Sequence, residues 1–144
     1  MRSSSLQDQV INFDGSQYRL GDLSESTREL LHGLSTAQTQ KKLLVSQLAL
    51  VKTAKATYTR QLAAHLPDQK APADAAEQII QLDDDKYWLK DLNADAEVQL
   101  SNLRFAEQEA ASLEAQLEVV NTATASYAQS LELALQNVPL YKKQ

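Results

Sequence analysis

Residues 36–66 read TAQTQKKLLVSQLALVKTAKATYTRQLAAHL, and residues 105–135 read FAEQEAASLEAQLEVVNTATASYAQSLELAL. Both are apolar at helical spacing. The first carries Lys41, Lys42, Lys52, Lys55 and Arg60 and no acid; the second carries Glu107, Glu109, Glu114, Glu118 and Glu132 and no base. Leu30, Leu34, Ala37, Lys41, Leu44, Leu48, Val51, Lys55, Tyr58 and Leu62 are spaced four and three alternately, the seam of a coiled coil interrupted by two lysines. A lysine there weakens packing but can fix register, with its stem along the seam and its ammonium in water. The second seam runs Leu103, Ala106, Ala110, Leu113, Leu117, Val120, Thr124, Tyr127, Leu131, with Ala110 and Thr124 in place of Lys41 and Lys55.

The likeness extends upstream. Val10 to Leu66 aligns without a gap onto Ile79 to Leu135, and about a third of the positions are identical. Ile11, Asp14, Tyr18, Leu20 and Asp22-Leu23 match Ile80, Asp83, Tyr87, Leu89 and Asp91-Leu92, outside the Ala- and Leu-rich region where matches come cheaply. Val10-Ile11-Asn12-Phe13 alternates like a strand, Asp14-Gly15-Ser16 is a turn signal, and Gln17-Tyr18-Arg19-Leu20 is the return strand. Ser24, and Asn93 in the second copy, are expected N-caps. Gly33 is the one weak point before the long section, because glycine costs about 1 kcal/mol relative to alanine in a helix, and the sequence leaves open whether the helix breaks or kinks there. Leu66-Pro67-Asp68 stops the first helix.

The chain therefore divides into a frayed N-terminus (1–9), a first repeat (10–66), a linker (67–78), a second repeat (79–135) and a tail (136–144). Each repeat is a small β-hairpin followed by a long helix. The expected fold is mainly α with small β-hairpins, its two helices packed as an antiparallel coiled-coil hairpin. Antiparallel order follows from reach. The first helix is about 47 Å long at ~1.5 Å per residue, and the linker spans at most roughly 40 Å. Setting Val51 opposite Val120 would bring Lys52 near Glu118, Lys55 between Glu114 and Glu118, Lys41 near Glu132 and Arg60 near Glu109. Each such exposed pair is worth only ~0–1 kcal/mol, so their expected effect is on the choice of pairing. Because a two-helix core is long and thin, the hairpins must thicken it or two copies must make a four-helix assembly.

Composition excludes several classes of chemistry. Cysteine is absent, so there is no disulfide, thiolate metal site or cysteine nucleophile. No secretion signal and no membrane-length apolar run is visible, so a soluble protein is expected, in the host cytoplasm or in the virion if phage-encoded. The net charge of −5 argues against nucleic acid as a partner. No phosphate-binding glycine loop, nucleophile elbow, zinc-binding HExxH or paired-carboxylate constellation occurs, so no enzyme activity and no cofactor are expected. Asp83-Asp84-Asp85 has the oxygen ligands for Ca²⁺ or Mg²⁺, but it aligns with the Asp14-Gly15-Ser16 turn and reads as turn chemistry. His32 and His65 have no partner at metal spacing. Tyr58 and Tyr127 recur at one seam position and read as core aromatics. Tyr18 and Tyr87, with Trp88, are candidates to cover a hairpin. Trp88 replaces Arg19 and is expected on the opposite, exposed face, as an anchor for a partner.

Ile11-Asn12-Phe13-Asp14-Gly15-x-x-Tyr18-x-Leu20-x-Asp22-Leu23-Ser24, with Ala54-x-Ala56-x-Tyr58-x-x-x-Leu62 at the helix end, resembles a family of short uncharacterised proteins from tailed phages and bacteria. Those look like single hairpin-plus-helix units, so this chain would be a tandem duplication, with Asp84 departing from the expected turn glycine. The resemblance implies a phage-related or accessory protein and supplies no site residues. The functional expectation is a non-enzymatic protein-interaction module, a scaffold, assembly factor or small structural component that binds a protein partner or itself. The alternative is a regulator that binds and blocks one partner protein.

Overall fold

The structure is a computed structural model, and it describes residues 8–141. Strands β1 (Val10–Phe13) and β2 (Ser16–Arg19) form an antiparallel hairpin, followed by helix α1 (Glu25–Ala64). Strands β3 (Ile79–Leu82) and β4 (Asp85–Trp88) form a second, followed by helix α2 (Ala94–Ala134). The hairpins have equivalent registers, Ile11 opposite Tyr18 and Ile80 opposite Tyr87. Each hairpin passes through a short 3₁₀ turn, Leu20–Asp22 or Leu89–Asp91, before its helix. The expected caps form: Ser24 Oγ accepts from the Thr27 N–H at 3.1 Å, and Asn93 Oδ1 from the Ala96 N–H at 2.8 Å. In the first turn Asp14 and Gly15 both adopt left-handed backbone, at φ 53° and 81°. In the second only Asp83 does, at φ 56°, and Asp84 takes the place of the glycine.

The spatial units are not the sequence repeats. One unit holds residues up to 43 and from 117 onward; the other holds 44–116. Each therefore contains one hairpin, the N-terminal part of the helix that follows it, and the C-terminal part of the other helix. Within each unit the two helices pack antiparallel, as the coiled-coil hairpin requires.

The two cores are built from equivalent residues. The first unit clusters Tyr18, Leu23, Leu34, Leu131 and Leu135 with Ile11 and Tyr127. The second clusters Leu62, Ile80, Tyr87, Leu92, Ala96 and Leu103 with Tyr58 and Leu66. Ile11 corresponds to Ile80, Tyr18 to Tyr87, Leu23 to Leu92, Leu34 to Leu103, Tyr127 to Tyr58, Leu131 to Leu62 and Leu135 to Leu66. The duplication is thus preserved in packing as well as in sequence.

The structure decides one open point and corrects one expectation. Helix α1 is unbroken across Gly33. A Cβ on Gly33 would meet the Tyr127 ring at 2.5 Å, so the glycine makes room for an aromatic from α2. The helix register also differs from Val51 opposite Val120. That pairing would set Leu34 against Asn137, beyond the end of α2, whereas Leu34 clusters with Leu131 and Tyr127. The hairpins decide this. Burying Leu131 and Leu135 under Tyr18 gains about 1.5–3 kcal/mol per leucine, more than exposed Lys–Glu pairs offer.

Candidate functional site

The hairpin strands sort their side chains by alternation. Tyr18 and Tyr87 point inward and are core residues, 9% and 7% exposed, so neither presents a surface to a partner. Trp88 is the next residue and points the other way, half-buried at the end of β4 opposite Ile79. The Lys90 ammonium lies 5.8 Å from the centre of its ring. Ala76, Glu77, Gln78, Trp88 and Lys90 line an open cavity of about 590 Å³. Gln78 holds a left-handed backbone at φ 55°, and its carbonyl accepts the Leu89 N–H at 2.9 Å, fixing the cavity wall against the turn after Trp88.

The equivalent place in the first unit is filled differently. Arg19 stands at the Trp88 position, and its guanidinium lies 5.7 Å from the Tyr141 ring. The Tyr141 N–H donates to the Gln17 carbonyl at 2.8 Å, so the segment after α2 docks on the edge of β2. In the second unit the segment after α1 docks in the same way, with the Ala71 N–H donating to the Lys86 carbonyl at 2.7 Å. It brings an alanine, not an aromatic, and Trp88 keeps its open side.

That segment, residues 67–78 of the expected linker, is pinned further. Lys86 Nζ donates to the Ala73 and Ala75 carbonyls, each at 2.7 Å. Lys70 pairs with Asp85 at 3.0 Å, and the carboxylate's hydrogen bond and charge hold the Lys70 ammonium above its ordinary pKa. Both partners are about half exposed, so solvent screens the pair. Lys86 and Lys90 stand where the first repeat has Gln17 and Gly21. Comparing the repeats position by position was the signal for both; nothing local to β4 was.

Lys70–Asp85 is the ion pair among the described residues. The expected pairs of Lys41, Lys52, Lys55 and Arg60 with Glu109, Glu114, Glu118 and Glu132 are not made within 4.0 Å. Arg60 instead donates to the Thr57 hydroxyl on its own helix at 3.3 Å. Lys55 is half-buried along the seam, while the other seven charged residues are exposed. Among the described residues no group of three or more His, Cys, Asp or Glu side chains is placed to hold a metal. No helix among them is long and apolar enough to cross a membrane. No protein-family model, no curated protein and no solved structure matches this chain.

Proposed function

We propose that this chain is a non-enzymatic protein-interaction module, acting as a phage-related scaffold, assembly factor or small structural component, with Trp88 as an anchor for a protein segment. One observation carries the reading. The only tryptophan of the chain is left half-open beside a cavity of about 590 Å³, while the equivalent position in the first unit is closed by Tyr141. A large flat ring with one accessible side gives much contact area for little lost side-chain freedom. Lys90 and Glu77 at the rim add charges of both signs that orient a bound peptide.

Because Trp88 is unique, selectively excited tryptophan fluorescence reports on this site alone. The test is a random-peptide display selection on the purified chain. Peptides that shift Trp88 emission, and that lose binding in Trp88→Ala while circular dichroism stays native, support the reading. Recovered peptides indifferent to Trp88→Ala, or no peptides at all, sink it. Peptide capture by a strictly monomeric chain moves the balance to the second reading, a regulator that occupies one partner.

A further inference from the structure

The segments that follow the two helices dock at equivalent places, and only one of them is clamped. In the first hairpin the Leu20 N–H donates to the Gln9 carbonyl at 2.8 Å. Alternation along the ladder then turns the main-chain groups of Gln17 and Arg19 away from β1, to the outer edge of β2. There the Gln17 carbonyl accepts the Tyr141 N–H at 2.8 Å, and the Tyr141 ring lies 5.7 Å from the Arg19 guanidinium. On β4 the segment after α1 makes the matching bond from Ala71, and the Lys86 ammonium and the Lys70–Asp85 pair clamp it further. Gln17 stands where Lys86 stands and brings no ammonium. Among the described residues no ion pair holds residues 138–141. Pro139 and Leu140 are exposed. Val138 is partly buried against the core of Tyr18, Leu131 and Leu135. An open cavity of about 330 Å³ remains beside it, bordered by Phe13, Tyr18, Leu135 and Leu140.

We propose that the outer edge of β2 is a docking site for an extended protein segment that carries a large apolar residue and, three positions on, an aromatic, and that residues 138–141 occupy it in cis as a displaceable competitor. The inference goes beyond the Trp88 reading and uses none of its residues. The occupant shows what the site recognises. Pro139 keeps Val138 extended and has no N–H of its own to satisfy, so the segment arrives as a strand and not as a helix. The bond to the Gln17 carbonyl accepts any extended main chain, while the cavity and Arg19 select the side chains on either side of Pro139 and Leu140. Displacement follows from the incomplete fit. Valine leaves the cavity open, so an outside segment with a larger residue in that place gains contact that the cis segment lacks. The cis segment competes through proximity alone, because a short tether gives it an effective concentration on the order of 1 mM. Segments that bind more weakly than that are kept out.

The test takes the chain ended after Asn137 and a dye-labelled peptide of residues 137–144, with binding read by fluorescence anisotropy. The shortened chain is expected to bind the peptide one-to-one, and the full chain at least ~10-fold more weakly, because its own segment competes. Tyr141→Ala in the peptide should weaken binding at least ~5-fold, and Val138→Leu should tighten it at least ~2-fold as the larger side chain enters the cavity. Trp88→Ala in the shortened chain should leave all of this unchanged, which keeps the fate of this site apart from that of the Trp88 site. No binding to the shortened chain at about 1 mM peptide, equal binding to the full chain, indifference to either peptide substitution, or dependence on Trp88 overturns the proposal. Should the shortened chain fail to fold, Tyr141→Ala in the full chain takes its place, since it leaves Val138 on the core and removes only the ring. It must bind the labelled peptide at least ~5-fold more tightly than the wild-type chain does, and equal binding overturns the proposal.

Discussion

Gly33 shows how one residue can carry opposite meanings in sequence and in space. By propensity it weakens α1 by about 1 kcal/mol, and alanine would be the better helix residue. In the folded chain the Tyr127 ring occupies the place of the missing side chain, 2.5 Å from where a Cβ would stand. Gly33→Ala is therefore expected to destabilise the protein by about 1–3 kcal/mol through overpacking. In a Tyr127→Ala background the same substitution should stabilise by up to about 1 kcal/mol, as propensity then acts alone. Urea denaturation of the four chains of this double-mutant cycle measures both signs; a Gly33→Ala effect that does not reverse would mean that Tyr127 is not the cause. Gly15 is the contrasting case. It holds φ 81°, and nothing lies within 4 Å of the place a Cβ would take, so Gly15→Ala meets no obstacle. Its expected loss of about 1–2 kcal/mol is backbone strain alone and should persist in every background tested.

At the scale of elements, the segments that follow the helices do more than connect. Lys86 holds the turn after α1 with two bonds from its ammonium to main-chain carbonyls, and the half-buried chain beneath it packs against the hairpin. Lys86→Met keeps the apolar stem and removes both bonds. The expected loss is about 1.5–3 kcal/mol, with amide exchange of the Ala71 N–H accelerated first because its acceptor is the Lys86 carbonyl. A variant as stable as wild type would show those bonds to be exchangeable for water. Nothing in the sequence marks these contacts. The hairpins, both caps, both helices and their seams were legible, because turn pairs, cap residues and apolar periods are local signals repeated twice. The docking of Ala71 on β4 and of Tyr141 on β2 rests on single main-chain bonds between distant segments, which leave no period. The helix register was misread for a related reason: charges on Lys41 and Glu132 are visible in a sequence, whereas the demand of Tyr18 for Leu131 and Leu135 appears only once the hairpin has folded. Trp88 was legible as an outward residue from strand alternation, but its cavity was not, since Gln78 and Lys90 come from the turns on either side of the strands.

At the scale of the molecule, the decisive fact is that neither repeat owns a core. The hairpin of the first repeat closes over Leu131 and Leu135 of the second, and the hairpin of the second closes over Leu62 of the first. A fragment of residues 1–66 keeps Tyr18, Leu23 and Leu34 but loses every α2 residue they pack against. It cannot replace them with its own copy at low cost, because residues 36–66 hold five bases and no acid. Each half alone is therefore expected to be largely unfolded at micromolar concentration, since a single amphipathic helix without its partner buries too little to hold its shape. Mixing residues 1–66 with residues 67–144 should restore the far-ultraviolet helix signal of the intact chain in one-to-one stoichiometry. Leu62→Ala in the first fragment or Leu131→Ala in the second should each weaken that reassembly by about 2–5 kcal/mol, the loss for a leucine truncated in a packed core. Both side chains are essentially inaccessible, 1% and 0% exposed, and they occupy equivalent places, so the two losses should be similar. A fragment that reaches native helicity alone as a monomer would show that a repeat can fold without its twin, and the exchange of helix ends between the two units would then be a convenience of the linked chain and not the condition of its stability.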